Sequence, residues 1–152
     1  RLRRLLAAEE AAGLYTTETY QQFGDAARQQ RDAIRQFVLS RKNAGRTICG
    51  YGAAGRATTL LNYCGLDHGV LDYVVDESPS RIGRYVPGVQ IPIVTREHFH
   101  AHPTDDCLLT AWNYRDEIVG KESKYAQQGG TFLAPLPRIE VIQPGSPCLA
   151  VA

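Results

Sequence analysis

The residues of this chain best suited to chemistry lie close together. In "ICGYGAAGR" the glycines Gly50, Gly52 and Gly55 stand in G-x-G-x-x-G spacing, between an apolar stretch that reads as a strand and one that reads as a helix. The first glycine permits a tight turn, and the second lets main-chain N–H groups approach a pyrophosphate. A helix opening near Ala54 adds about half a positive charge. Arg56 can supply a forked, charge-assisted contact to the same phosphates. Asp76, 21 residues after Gly55, closes the next strand, where a carboxylate can accept from a ribose hydroxyl. Each residue type also has a plainer use: the glycines can let helix and strand pack closely, and an aspartate at a strand end can cap the next turn. The spacing does not separate a dinucleotide from a nucleotide sugar.

Further candidates fall at the same end of the expected sheet. Trp112 and Asn113 follow an apolar strand, where open α/β sheets bind ligands. Arg81 and Arg84 occupy the loop after Asp76, within reach of a phosphate. Tyr51 is bulky for a glycine turn and can cover a base or fill a gap. His98, His100 and His102 raise a metal reading, but Pro103 follows at once and no acid or cysteine completes the set locally. A solvated helix end is the expectation, and no metal site is expected. Cys49, Cys64, Cys107 and Cys148 lack the close pairs of zinc sites, so they read as reduced, cytoplasmic thiols.

Positioning these residues requires a particular succession of elements. "RLRRLLAAEEAAG" has helical spacing, and a second helix is predicted over Ala26 to Lys42 with Ile34, Phe37 and Val38 on one stripe. From Arg46 the pattern changes. "RTICGYG" reads as a strand, "RATTLLNYCG" as a helix and "VLDYVVD" as a strand; "VQIPIV" follows, with Pro92 marking an edge or strand end. "TREHFHAHP" predicts a short helix capped by Thr95, "DCLLTAWN" a strand, "YRDEIVGKESKYAQQGG" one helix, "TFLAPLP" a buried strand, and "RIEVIQ" one more. Alternating strands and helices predict a Rossmann-like, three-layer α/β/α domain with a mostly parallel sheet, preceded by two N-terminal helices. The expected organisation is a helical segment over 1–45, the Rossmann-like domain over 46–143 and a loose tail over 144–152.

At 152 residues, 43% hydrophobic and 22% charged, the composition is that of an ordinary globular protein, with no run near the roughly 20 apolar residues that span a bilayer. Arg1 to Arg46 holds nine basic and five acidic residues, and Thr47 to Ala152 eight and eleven. A negative second half carrying the glycine turn argues against a nucleic-acid groove. The chain begins at Arg1 without methionine or signal-like segment, so it reads as a piece of something longer.

With "GYGAAGRATTLLNYCGLD", "DYVVDESPSRIGRYVPGVQIPIV", "AWNYRDEI" and "GGTFLAPLPRIEVI" in this order, the chain resembles the C-terminal domain of bacterial S-adenosylmethionine-dependent sugar C-methyltransferases, from about Leu5 to Ile142. The resemblance implies a three-part enzyme with a zinc-binding region, a methyl-donor domain and this Rossmann-like domain, which would hold a thymidine diphosphate deoxy-keto sugar. It implies that S-adenosylmethionine and structural zinc belong to the full-length protein only. This fragment would then lack catalytic residues and be inactive alone, with its upstream methyl-donor domain as partner. By the same resemblance, substrate contacts fall on Gly50, Tyr51, Gly52, Ala53, Arg56, Asn62, Asp76, Trp112 and Asn113, with Gly83, Arg84, Pro87 and Gly88 in the loop. The family often has alanine at Gly55, lysine at Arg56, asparagine at Thr58, and proline at Ala54 or Ala111. Two rivals stand beside it: an NAD-binding domain of an oxidoreductase, on the complete glycine spacing and Asp76, and a non-enzymatic nucleotide-sensing module.

Overall fold

The structure, a computed structural model, describes residues 1–143 and the backbone of a short strand at Leu149–Ala150. Apart from those two residues, the tail expected from Pro144 lies outside the described residues, as does Cys148. Two compact units divide between Ala33 and Ile34.

In the first unit, α1 (Leu2–Ala11) buries none of its residues. A second helix, α2 (Thr17–Asn43), runs through the division. It opens well before the expected Ala26 because its first half has no core-facing stripe for periodicity to reveal; its buried residues are Ile34 and Val38. Leu2, Leu5, Leu6, Leu14, Tyr15, Tyr20 and Phe23 of the first unit are exposed.

The second unit contains β1 (Ile48–Tyr51), α3 (Gly55–Cys64), β2 (Val74–Val75), β3 (Ile93–Val94) and α4 (Arg96–Ala101). It continues with β4 (Asp106–Leu108), a 3-10 turn (Trp112–Tyr114), α5 (Arg115–Lys121), α6 (Ser123–Gln127), β5 (Thr131–Ala134), β6 (Glu140–Ile142) and β7 (Leu149–Ala150). The sheet order is β3-β2-β1-β4-β5-β6-β7. The first five strands are parallel and the last two antiparallel. This is the expected Rossmann-like α/β class. Pro92 does precede an edge strand, and its carbonyl accepts from Val74.

The period-2 alternation of the strands feeds two cores. Ile48, Val74, Leu108 and Leu133 join Ile34 and Val38 of α2 and Ala57, Leu60 and Leu61 of α3 on one face. Cys49, Tyr51, Val75, Cys107 and Phe132 join Phe99 of α4, Ile118 of α5 and Tyr125 of α6 on the other. Cys49, Cys64 and Cys107 are all buried. The last turns of α2 are tied down: Arg41 and Arg46 both fork onto the fully buried Asp106 at the start of β4, at 2.5 to 2.8 Å. Burial alone would push the Asp106 carboxyl up, but the two guanidinium groups hold it below the usual carboxylate range. The single helix expected over "YRDEIVGKESKYAQQGG" is broken at Glu122, for a reason that lies in the site.

Candidate functional site

β1 ends at Tyr51, and the chain leaves the strand at Gly52. Its φ of 99° lies in the left-handed region, and a Cβ there would stand 2.5 Å from the Cβ of Ala111, so two independent constraints require glycine. The end of β4 holds the turn in place. Thr110 Oγ1 lies 2.7 Å from the Tyr51 carbonyl and 2.8 Å from that of Gly52, and Ala111 N donates to Tyr51. Gly50 packs inside β1, where a Cβ would lie 3.0 Å from Val74. Gly55 differs: open space surrounds its missing Cβ and its φ is not positive, so close helix packing does not demand this glycine.

After the turn, α3 opens on Ala54 without a side-chain cap and with no acid in its first turn. The N–H groups of Gly55 and Arg56 therefore have no intrahelical acceptor, whereas those of Ala57 and Thr58 already bond the Ala54 carbonyl. Arg56 projects from that turn, its guanidinium carbon 5.9 Å from the centre of the Trp112 ring. Ala53, the residue before Ala54, gives its N–H to Asp76 Oδ2 at 2.7 Å. Asp76 also accepts from Ser78 N at 2.8 Å and from Arg81 at 3.0 Å on both oxygens. The carboxylate thus caps the following turn and orients the glycine loop, the plainer of its two sequence readings.

A crevice of about 250 Å³ opens where the strand order changes direction, between the ends of β1, β2 and β4. Its walls are Tyr51, Gly52, Asp76, Glu77, Ala111, Tyr114, Glu117, Ile118 and Lys121. Such switch points at the carboxyl ends of parallel strands are where α/β sheets bind ligands.

The structure therefore gathers Gly52, Ala53, Ala54, Gly55, Arg56, Asp76, Arg81 and Trp112 around one turn, with the exposed Asn113 next to Trp112. It takes others elsewhere. Asn62 sits two turns along α3, where its amide donates to Thr58 O (2.8 Å) and Pro87 O (2.9 Å) and latches the helix to the loop before β3. A Cβ on Gly88, whose φ is 84°, would stand 2.1 Å from that side chain. Arg84 is exposed in that loop, and among the described residues no bond ties it to the turn. The Tyr51 side chain fills the core, edge-on to Phe99, and its hydroxyl donates to Glu122 Oε1 at 2.7 Å.

Glu122 was not among the residues singled out from sequence. Its carboxylate is buried and also bonds Arg96 Nε and His100 Nε2, each at 2.6 Å. Burial would raise its pKa, but the bonds from Arg96, His100 and Tyr51 together lower it. Burial, then the bond to Glu122, raises the Tyr51 phenol well above its usual value. Turning this carboxylate inward breaks α5 from α6 at φ −102°, ψ 27°. A signal was present: Glu122 shares a stripe with Ile118, Tyr125 and Ala126, all buried. His98 and His102 stack at 4.5 Å, and no group of three or more His, Cys, Asp or Glu among the described residues is placed to hold a metal. Among the same residues no helix is long and apolar enough to cross a membrane.

The fold and the turn define a Rossmann-like domain with an anion-ready helix terminus at its switch point. The comparisons narrow the class: the family described as C-methyltransferase C-terminal domain matches residues 1–137, and the chain belongs to it. The C-methyltransferase NovU of Streptomyces niveus is 36% identical over 138 residues. That alignment takes in 91% of this chain and 33% of NovU, so the chain spans about a third of its relative's length.

Proposed function

We propose that this chain is the substrate-holding part of an S-adenosylmethionine-dependent C-methyltransferase that methylates a ring carbon of a dTDP-linked deoxy-keto sugar in the cytoplasm. The observation that carries the reading is the opening of α3: no side-chain cap, no acid in the first turn, and Arg56 beside Trp112 at its rim. Those amides and the guanidinium hold the diphosphate. Trp112 and Asn113 contact the nucleoside. Asp76 and Arg81 keep Ala53 and the turn in place, and the chain supplies orientation while bond making falls to the rest of the protein.

Asp76 also bears on the choice of nucleotide. A dinucleotide asks the acid at the end of β2 to accept from its ribose 2′-hydroxyl. Here that carboxylate is committed to Ala53, Ser78 and Arg81, whereas a 2′-deoxynucleotide has no such hydroxyl to satisfy. The same commitment leaves Asp76 no open acceptor for the ribose of S-adenosylmethionine, and the resemblance assigns both that donor and structural zinc to other parts of the full-length protein. In this reading both belong upstream, and the exposed Leu2, Leu5, Leu6, Tyr20 and Phe23 face the methyl-donor part. Titration of the 152-residue chain by calorimetry is expected to show binding of thymidine 5′-diphosphate, none of NAD, and no methyl transfer by the chain alone. Binding of NAD in place of the thymidine nucleotide, or turnover by this chain, overturns the assignment.

A further inference from the structure

The crevice contains a charge arrangement that the glycine turn does not explain. Three carboxylates line it, those of Asp76, Glu77 and Glu117, against one lining cation, Lys121. Arg81 offsets Asp76 from behind. Lys121, in the last turn of α5, is paired with Glu77, 44 residues away on the loop leaving β2. A diphosphate bound at the turn brings two or more negative charges beside these acids, and like charges at that range repel.

We infer that Lys121 is a further anion-binding residue of this crevice, held by Glu77 in the empty state and transferred to the ligand's phosphate on binding. The inference rests on the phosphate reading above. Both partners are partly exposed, at 36% and 52%; water screens pairs of that kind and makes them weak, so a phosphate can displace the carboxylate. Lysine suits the exchange because its ammonium is a compact point charge on a flexible four-carbon stem. Glu77 then acts as a placeholder that keeps Lys121 at the crevice and competes with the ligand for it.

A double-mutant cycle separates this from simple repulsion by Glu77. Thymidine 5′-diphosphate is titrated into the wild-type chain, Lys121→Ala, Glu77→Gln and the double variant, with thymidine as the uncharged control. The expected result is about tenfold weaker binding for Lys121→Ala, about threefold tighter binding for Glu77→Gln, and a double variant within about twofold of Lys121→Ala. Thymidine is expected to bind all four equally. If Glu77→Gln tightens binding by the same factor without Lys121, or if Lys121→Ala binds like wild type, or if thymidine follows the same pattern, the exchange is refuted. A folded wild-type chain that does not bind thymidine diphosphate at all removes the underlying site reading instead, a result distinct from each of these.

Discussion

The three glycines of the turn look equivalent in sequence and are not so in space. Gly52 meets both a left-handed φ and the Cβ of Ala111 at 2.5 Å, whereas Gly55 meets neither constraint. Gly52→Ala must strain the backbone and push the end of β4 away, at a cost of about 2 kcal/mol or more. Gly55→Ala places a better helix former in open space, and its stability is expected within about 1 kcal/mol of wild type, on the favourable side. Urea denaturation of the two variants checks the contrast, and equal losses would show that the turn is not organised around Gly52. The same reasoning applies to Asp76. Sequence placed it correctly at the strand end, but its role depended on which donors the fold brought to it: the N–H groups of Ala53 and Ser78 and the guanidinium of Arg81.

At the level of elements, the break between α5 and α6 follows from one carboxylate. Glu122 is buried with three donors, Tyr51, Arg96 and His100, drawn from β1 and α4, so it welds the site-bearing strand to the far helices. Glu122→Gln keeps the shape but leaves the Arg96 guanidinium without its counter-charge. A loss of about 2 to 3 kcal/mol is expected, below the full cost of breaking a buried pair because Arg96 is itself a third exposed. The check is a lower denaturation midpoint at unchanged slope. What sequence could reach here was local. The β1–turn–α3 unit, the strand and helix alternation and the edge position of Pro92 all followed from residues within a few positions of one another. The start of α2 did not, since its first half has no buried stripe. The latch of Asn62 onto Pro87, the burial of Tyr51 and the pairing of Lys121 with Glu77 did not either, because each depends on partners 25 to 71 residues away.

For the whole molecule, the buried ionisable groups set how stability responds to pH. Asp106 and Glu122 both have carboxyl pKa values lowered in the folded state, despite burial, by their guanidinium and other hydrogen-bond donors. A lowered folded-state value means that the unfolded chain takes up protons first as pH falls. Their contribution is therefore complete above the ordinary carboxylate value of about 4 and is lost as pH drops through the lower folded values. Tyr51, Tyr73 and Tyr125 are shifted the other way, upward, chiefly by burial. Their contribution is complete below the ordinary phenol value of about 10 and declines above it, when the unfolded chain ionises and the folded chain resists. Urea titrations at a series of pH values are expected to give a plateau from about pH 5 to 9 with a falling limb on each side. Glu122→Gln is expected to lower the plateau and flatten the acid limb, since its carboxyl no longer titrates, while the Asp106 contribution remains. Stability that stays constant from pH 5 down to pH 3 in the wild-type chain would mean that these buried carboxylates are not held by their arginine partners, and with them would go the account of how α2 and α4 are tied to the sheet.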